Sequence, residues 1–115
     1  PMMDLTQREM LTQRGYTICP ADGESVESVP ESTGIYIVFS DQQDTRPIAV
    51  RIVVDPWLRT DIGAYLARRD VQLFSPALVA YWEMERREGE TAQRFDARVR
   101  AEQQAAGEWL KLEVH

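Results

Sequence analysis

The sequence predicts a small α+β domain, a mainly antiparallel sheet packed by two or three helices, and three observations carry that expectation. Two β-branched and aromatic runs, Gly34–Ser40 and Ile48–Val54, flank a short polar connection and therefore read as an antiparallel hairpin. The segment Thr91 to Ala106 is rich in alanine, glutamine and arginine, with Phe95 and Val99 placed to face inward from a helix. Finally, 115 residues fill one domain, 1–115, and a chain of this size buries roughly two thirds of its unfolded surface without staples.

Asp4 to Arg14 carries Leu5, Met10 and Leu11 in a helical pattern, and Gly15 stops it. Tyr16–Cys19 is a short extended piece ending at Pro20. Residues 21–33 contain Gly23, Pro30 and the acids Asp22, Glu24, Glu27 and Glu31 with no base. That composition predicts a surface loop, mobile until a partner orders it and only loosely pinned by Val26 and Val29. The hairpin strands are apolar on both faces for much of their length, which predicts that both lie centrally in a sheet covered by helices. Asp41 to Pro47 is the polar turn between them.

Asp55-Pro56 reads as a helix start, with the carboxylate as cap and proline in the first turn. Trp57, Leu58, Ile62, Tyr65 and Leu66 follow at helical spacing, while Arg59, Asp61 and Arg68 fall on another face; Gly63 weakens this helix without breaking it. Val71–Phe74 looks extended. Leu78–Trp82 reads as a strand in preference to a helix begun by Ser75-Pro76, because it is aromatic and runs into the charged turn around Gly89. The last helix is expected to stop at Gly107 and to gain from pairs such as Arg98 with Glu102. Leu110, Leu112 and Val114 alternate with Lys111 and Glu113 as a final half-buried strand.

Composition excludes several classes. The longest strongly apolar stretch, Ala77–Trp82, is far short of the ~20 residues that span a bilayer, and Asp4, Arg8 and Glu9 interrupt any secretory pattern at the start. Cys19 is the one cysteine, so no internal disulfide forms, and the lone thiol fits a reducing, cytoplasmic setting. The one histidine is His115, which leaves serine–histidine triads, cysteine–histidine dyads and histidine-ligated zinc without their partner. The net charge is −6, and residues 1–55 hold nine acids against Arg8, Arg14, Arg46 and Arg51. A phosphate backbone repels such a chain, so nucleic acid is not the expected partner.

Gly34-Ile35-Tyr36 at the start of a strand, a second strand after a short gap and Arg59 in the following helix resemble the GIY-YIG nuclease family over roughly residues 30–106. The resemblance implies Tyr36 near the attacking water, Arg59 near the phosphate, and Glu102 as the carboxylate holding a cation such as Mg²⁺. The second signature departs: near Ile48-Ala49-Val50 neither its aromatic residue nor its glycine is present, which removes a general base and a close backbone approach. A degenerate, non-cutting relative is the form of the resemblance that these departures allow. On the residues alone, the simpler reading is preferred: Tyr36 is a core strand aromatic and Arg59 a solvated helix residue.

The other chemical groupings have plainer readings. Asp41 and Asp44 fit a turn better than a cation loop, and Glu83, Glu85, Glu88 and Glu90 are interleaved with Arg86 and Arg87 as a solvated turn. Arg94, Arg98 and Arg100 are diluted by Asp96 and Glu102, and Cys19 has no basic neighbour to activate it. Pro1 as a general base would need an apolar strand behind it, whereas Met2-Met3-Asp4-Leu5 leads into a helix. Three tryptophans, Trp57, Trp82 and Trp109, are many for this length, and any that is exposed becomes a candidate docking anchor. The leading expectation is a non-catalytic protein-binding or regulatory module without cofactor or metal. It would engage a protein partner through Asp22, Glu24, Glu27 and Glu31 or through an aromatic face containing Trp57 or Trp109. The alternative is a Mg²⁺-dependent nuclease using Tyr36, Arg59 and Glu102.

Overall fold

The structure is a computed structural model and describes residues 3–41 and 46–111. Along the chain come α1 (Leu5–Arg14), β1 (Thr17–Pro20), α2 (Gly23–Val26), β2 (Gly34–Ser40), β3 (Pro47–Val53), α3 (Leu58–Leu66), α4 (Arg69–Gln72), β4 (Pro76–Glu83) and α5 (Ala92–Trp109). The strands form one sheet in the order β1-β4-β2-β3, with every neighbouring pair antiparallel, so the chain is α+β as expected. No helix among the described residues is long and apolar enough to cross a membrane.

β2 is buried from end to end because both of its faces are covered. Ile35, Ile37 and Phe39 meet Leu11 of α1 and Phe95 and Val99 of α5 on one side. Tyr36 and Val38 meet Val26 of α2, Leu58 and Ile62 of α3 and Val71 of α4 on the other. The period of two along the strand thus feeds two separate cores, and each fully buried apolar side chain in them contributes about 1.5–3 kcal/mol. Gly34 begins this strand opposite Glu83 of β4 and Val53 of β3, and a Cβ there would collide with the Trp82 carbonyl oxygen. Close strand approach accounts for the glycine of Gly34-Ile35-Tyr36 without any catalytic role.

Several expectations give way to the structure. β3 lies at the sheet edge, not centrally; it reads as a two-sided apolar strand because both helical layers reach over it, and each residue from Pro47 to Ile52 is half-buried. Its outer edge is blunted by Pro47, which has no amide hydrogen, and by Gln103 of α5, whose Nε2 donates to the Val50 carbonyl at 3.0 Å. Val71–Phe74 is not extended: Arg69–Gln72 makes one helical turn that buries Val71. Residues 21–33 are not a free loop, since Asp22 caps the turn of α2 and Val26 and Val29 are buried in the α3-side core. Helix α3 starts at Leu58 rather than at Pro56, and Asp55 is not its cap.

α5 runs through Gly107 to Trp109, because the small pair Ala106 and Gly107 is buried and lets the helix lie close to the layer beneath it. Leu110 caps that helix and Lys111 turns away with φ 56°, so no strand begins at Leu110; Leu112, Val114 and His115 lie outside the described residues, as do Pro1 and Asp44. The Arg98–Glu102 pair does not form. Arg98 instead makes a two-point ion pair with Glu90, and Glu102 faces α1.

Candidate functional site

The acidic segment and α3 are tied together by contacts far apart in sequence. Trp57, at the cap position of α3, makes no side-chain cap bond. Glu31 takes that role: its Oε1 accepts from the Thr60 backbone amide at 2.8 Å and its Oε2 from the Thr60 hydroxyl. The Leu58 amide donates to the Ser32 carbonyl at 2.9 Å, and Arg59 Nη1 reaches the Glu27 carbonyl at 3.4 Å. Glu31 is held below the usual carboxylate range, chiefly by the Thr60 hydroxyl. Asp22 is lowered as well, first by the Ser25 amide that it accepts in capping α2. These two acids are therefore structural caps as well as surface charges.

Between α2 and one flank of α3 lies an open groove of about 490 Å³. Val26 and Leu66 supply its most buried lining, Asp22, Glu27 and Arg59 its charges. Gly23 and Gly63 line it too, and a Cβ built on either would meet nothing within 4 Å, so neither position is crowded by its neighbours. Its volume falls in the lower part of the usual ~300–1,000 Å³ range of ligand clefts, enough for one or two side chains of a partner. Trp57, two residues before Arg59, is 59% exposed, with Val54 also exposed nearby in sequence. Leu73 and Phe74, immediately after the groove residue Gln72, are exposed apolar side chains as well.

The remaining predicted site residues lie elsewhere. Trp109 is half-buried on the α1–α5 side, where the Arg14 guanidinium stacks over its ring at 5.1 Å, and it offers no exposed anchor. Trp82 packs edge-on against Tyr16. Glu24 is exposed on α2. Glu102 accepts from Arg14 at 3.0–3.3 Å and from the Tyr16 hydroxyl at 3.2 Å, linking α5 to α1 and β1. Tyr36 is buried on the opposite face of the sheet, where its hydroxyl donates to Asp61 Oδ1 at 2.5 Å and accepts from Arg51 Nε at 2.8 Å. Burial keeps that phenol protonated, with its pKa pushed well above the ordinary tyrosine value. Tyr36 and Glu102 thus stand on opposite faces, and Arg59 is turned toward the Glu27 carbonyl, so the three residues named by the nuclease resemblance share no cleft. Among the described residues no group of three or more His, Cys, Asp or Glu side chains converges as a metal site. Burial, and then the Asp22 charge, raises the Cys19 thiol, which is the opposite of activation.

The groove was not legible beforehand because its walls come from α2 and α3, and the one hint, Gly63 inside a helical pattern, reads equally as a helix defect. No family model matches the chain, and neither the curated proteins nor the solved structures searched return a match.

Proposed function

We propose that this chain is a non-catalytic protein-binding module that docks its partner on the α2–α3 groove, with Trp57 as a neighbouring anchor. The observation that carries the reading is the groove itself: an apolar lining with uncrowded glycines at Gly23 and Gly63 and the acids Asp22 and Glu27, with an exposed tryptophan two residues before its Arg59 in sequence. An aliphatic side chain of the partner fills the space over Val26 and Leu66, and a basic residue meets the acids. Arg59 is partly drawn off by the Glu27 carbonyl, and the chain's net charge of −6 favours a basic partner surface. The single, unactivated thiol Cys19 is compatible with work in a reducing compartment such as the cytoplasm, which is part of the proposed reading.

The test is affinity capture by the parent protein beside Gly63→Leu and Trp57→Ala, with Leu5→Ala on the opposite side as control. Expected is a bound protein lost by the first two variants and kept by the third; capture indifferent to all of them contradicts the reading. Plasmid nicking is run in parallel with Mg²⁺ and with Mn²⁺, and no cleavage is expected. Metal-dependent nicking that disappears in Tyr36→Phe, Arg59→Ala and Glu102→Ala alike would replace the binding module by the nuclease.

A further inference from the structure

The other flank of α3 holds a polar cluster that the groove does not use. Tyr36 of β2 and Arg51 of β3 are directly cross-strand, and Asp61, one turn before Tyr65 in α3, stands over them. The buried Tyr36 hydroxyl donates a hydrogen bond to Asp61 Oδ1 and accepts one from Arg51 Nε. Arg51 cannot turn away without leaving that hydroxyl short of a partner inside the protein. Its guanidinium is also seated on the Tyr65 ring, with the central carbon 4.4 Å from the ring centroid. Both constraints act on Nε and on the flat face of the group. Among the described residues Nη1 and Nη2 carry no hydrogen bond, and the side chain is 37% exposed.

A second guanidinium, that of Arg68, lies 5.3 Å from the same ring. It forms a two-point pair with Asp70 through Nε and Nη2, at 3.0 and 2.7 Å, on an exposed surface where such a pair is worth little and exchanges readily. The Tyr65 hydroxyl has no hydrogen-bond partner among the described residues, and like any phenol it is protonated and able to donate at neutral pH. The facing charges are thus Arg51, Arg68, Asp61 and Asp70, and each guanidinium has a carboxylate partner. Asp61 Oδ1 lies 3.5 Å from Arg51 Nε while accepting from Tyr36, and Asp70 accepts from Arg68, so an anion would be met by the free Nη edge of Arg51.

We propose that Arg51, Tyr65 and Arg68 form a binding site for a small oxyanion, a phosphate or a carboxylate. The proposal is independent of the groove reading, which uses the opposite flank of the helix. Two N–H groups at the end of one fixed guanidinium match two oxygens of such an anion, and a guanidinium already held in place loses little freedom on binding. The two nearby carboxylates and the net charge of −6 make the site weak for free ions and sensitive to ionic strength.

The experiment follows the arginine Nε–Hε and backbone amide resonances of the full chain during titration with inorganic phosphate, with acetate and, at matched ionic strength, with chloride. Expected is a saturable shift at Arg51 and at amides of residues 61–68 with phosphate or acetate but not with chloride. The arm that saturates at the lower concentration identifies the preferred anion. Arg68→Gln and Tyr65→Phe are each expected to weaken the apparent affinity about tenfold, and Arg51→Lys, which keeps the charge and loses the fork, to weaken it at least as much. Arg68 is exposed and its replacement leaves the fold intact, so that variant decides even if an Arg51 change disturbs folding. Linear shifts equal to those with chloride, or saturation unaltered in Arg68→Gln and Tyr65→Phe, overturn the proposal.

Discussion

On the α5 side of the sheet, Arg14 and Tyr16 close on Glu102 across 88 and 86 residues of chain, Arg14 also covers the Trp109 ring, and Arg98 fastens Glu90 and the Glu85 carbonyl to α5. On the α3 side, Asp22 and Glu31 cap helices from the rim, Glu27 and Arg59 border an open groove, and the partly exposed Arg51 keeps two nitrogens that carry no hydrogen bond among the described residues. The first set of charges is consumed in joining elements. The second leaves polar groups and space beside each other. A binding role therefore fits the α3 side and a bracing role the α5 side, and substitutions can separate the two.

The largest effect should come from Gly34→Ala, which strikes both sides at once because β2 is their shared layer. Pushing a methyl into the Trp82 carbonyl must displace β4, and a loss of about 3 kcal/mol or more in urea unfolding is expected. Next is a paired comparison. Glu102→Ala leaves the Tyr16 hydroxyl and the half-covered Arg14 without an acceptor and should cost about 2 kcal/mol. Asp61→Ala should cost only about 1 kcal/mol, because the Tyr36 hydroxyl also lies 3.4 Å from the Asp61 carbonyl oxygen and Arg51 is a third exposed. Equal losses would erase the contrast between the sides.

Acid sharpens the same contrast. Two hydrogen bonds from Arg98 and one from the Arg87 amide bring Glu90 from an ordinary 4.5 to about 2. A carboxylate lowered in the folded state adds stability that is complete above about pH 4.5 and is lost as pH falls toward 2. Glu90→Gln should therefore flatten the acid limb of the stability curve in that window, as followed by thermal melts from pH 6 down to about 2. Glu31→Gln on the α3 side should act in the same direction, since Glu31 is also lowered. The smallest effect, and the only gain, belongs to Gly63→Ala: open space around the new methyl and better helix propensity should stabilise α3 by about 0.5–1 kcal/mol.

The hairpin and α5 were legible because their patterns are long and one-sided in type: β-branched residues through Gly34–Ser40, and alanine-rich helix from Thr91 onward. The edge position of β3 was not, because a strand covered on both faces has the same residues at an edge as in the middle, and only sheet order distinguishes them. α4 escaped notice because one turn is too short to show a helical period, and Val71 is its single buried residue. The Glu31–Thr60 cap spans 29 residues, beyond any local capping pattern. Tyr36 and Arg51 were within reach, since pairing Gly34–Ser40 with the following strand sets them opposite each other. Asp61 and Tyr65 join them only once α3 is laid on the sheet.

The most direct measurement of the central claim is an amide chemical-shift titration of the labelled protein with a short synthetic peptide of lysine and leucine, whose chemistry matches the acid-bordered, apolar groove. Shifts gathered at Ala21–Glu27 and Arg59–Ala67, and abolished in Gly63→Leu, are the expected result. Shifts gathered on α1 and α5, or a pattern at the groove that survives Gly63→Leu unchanged, would contradict it.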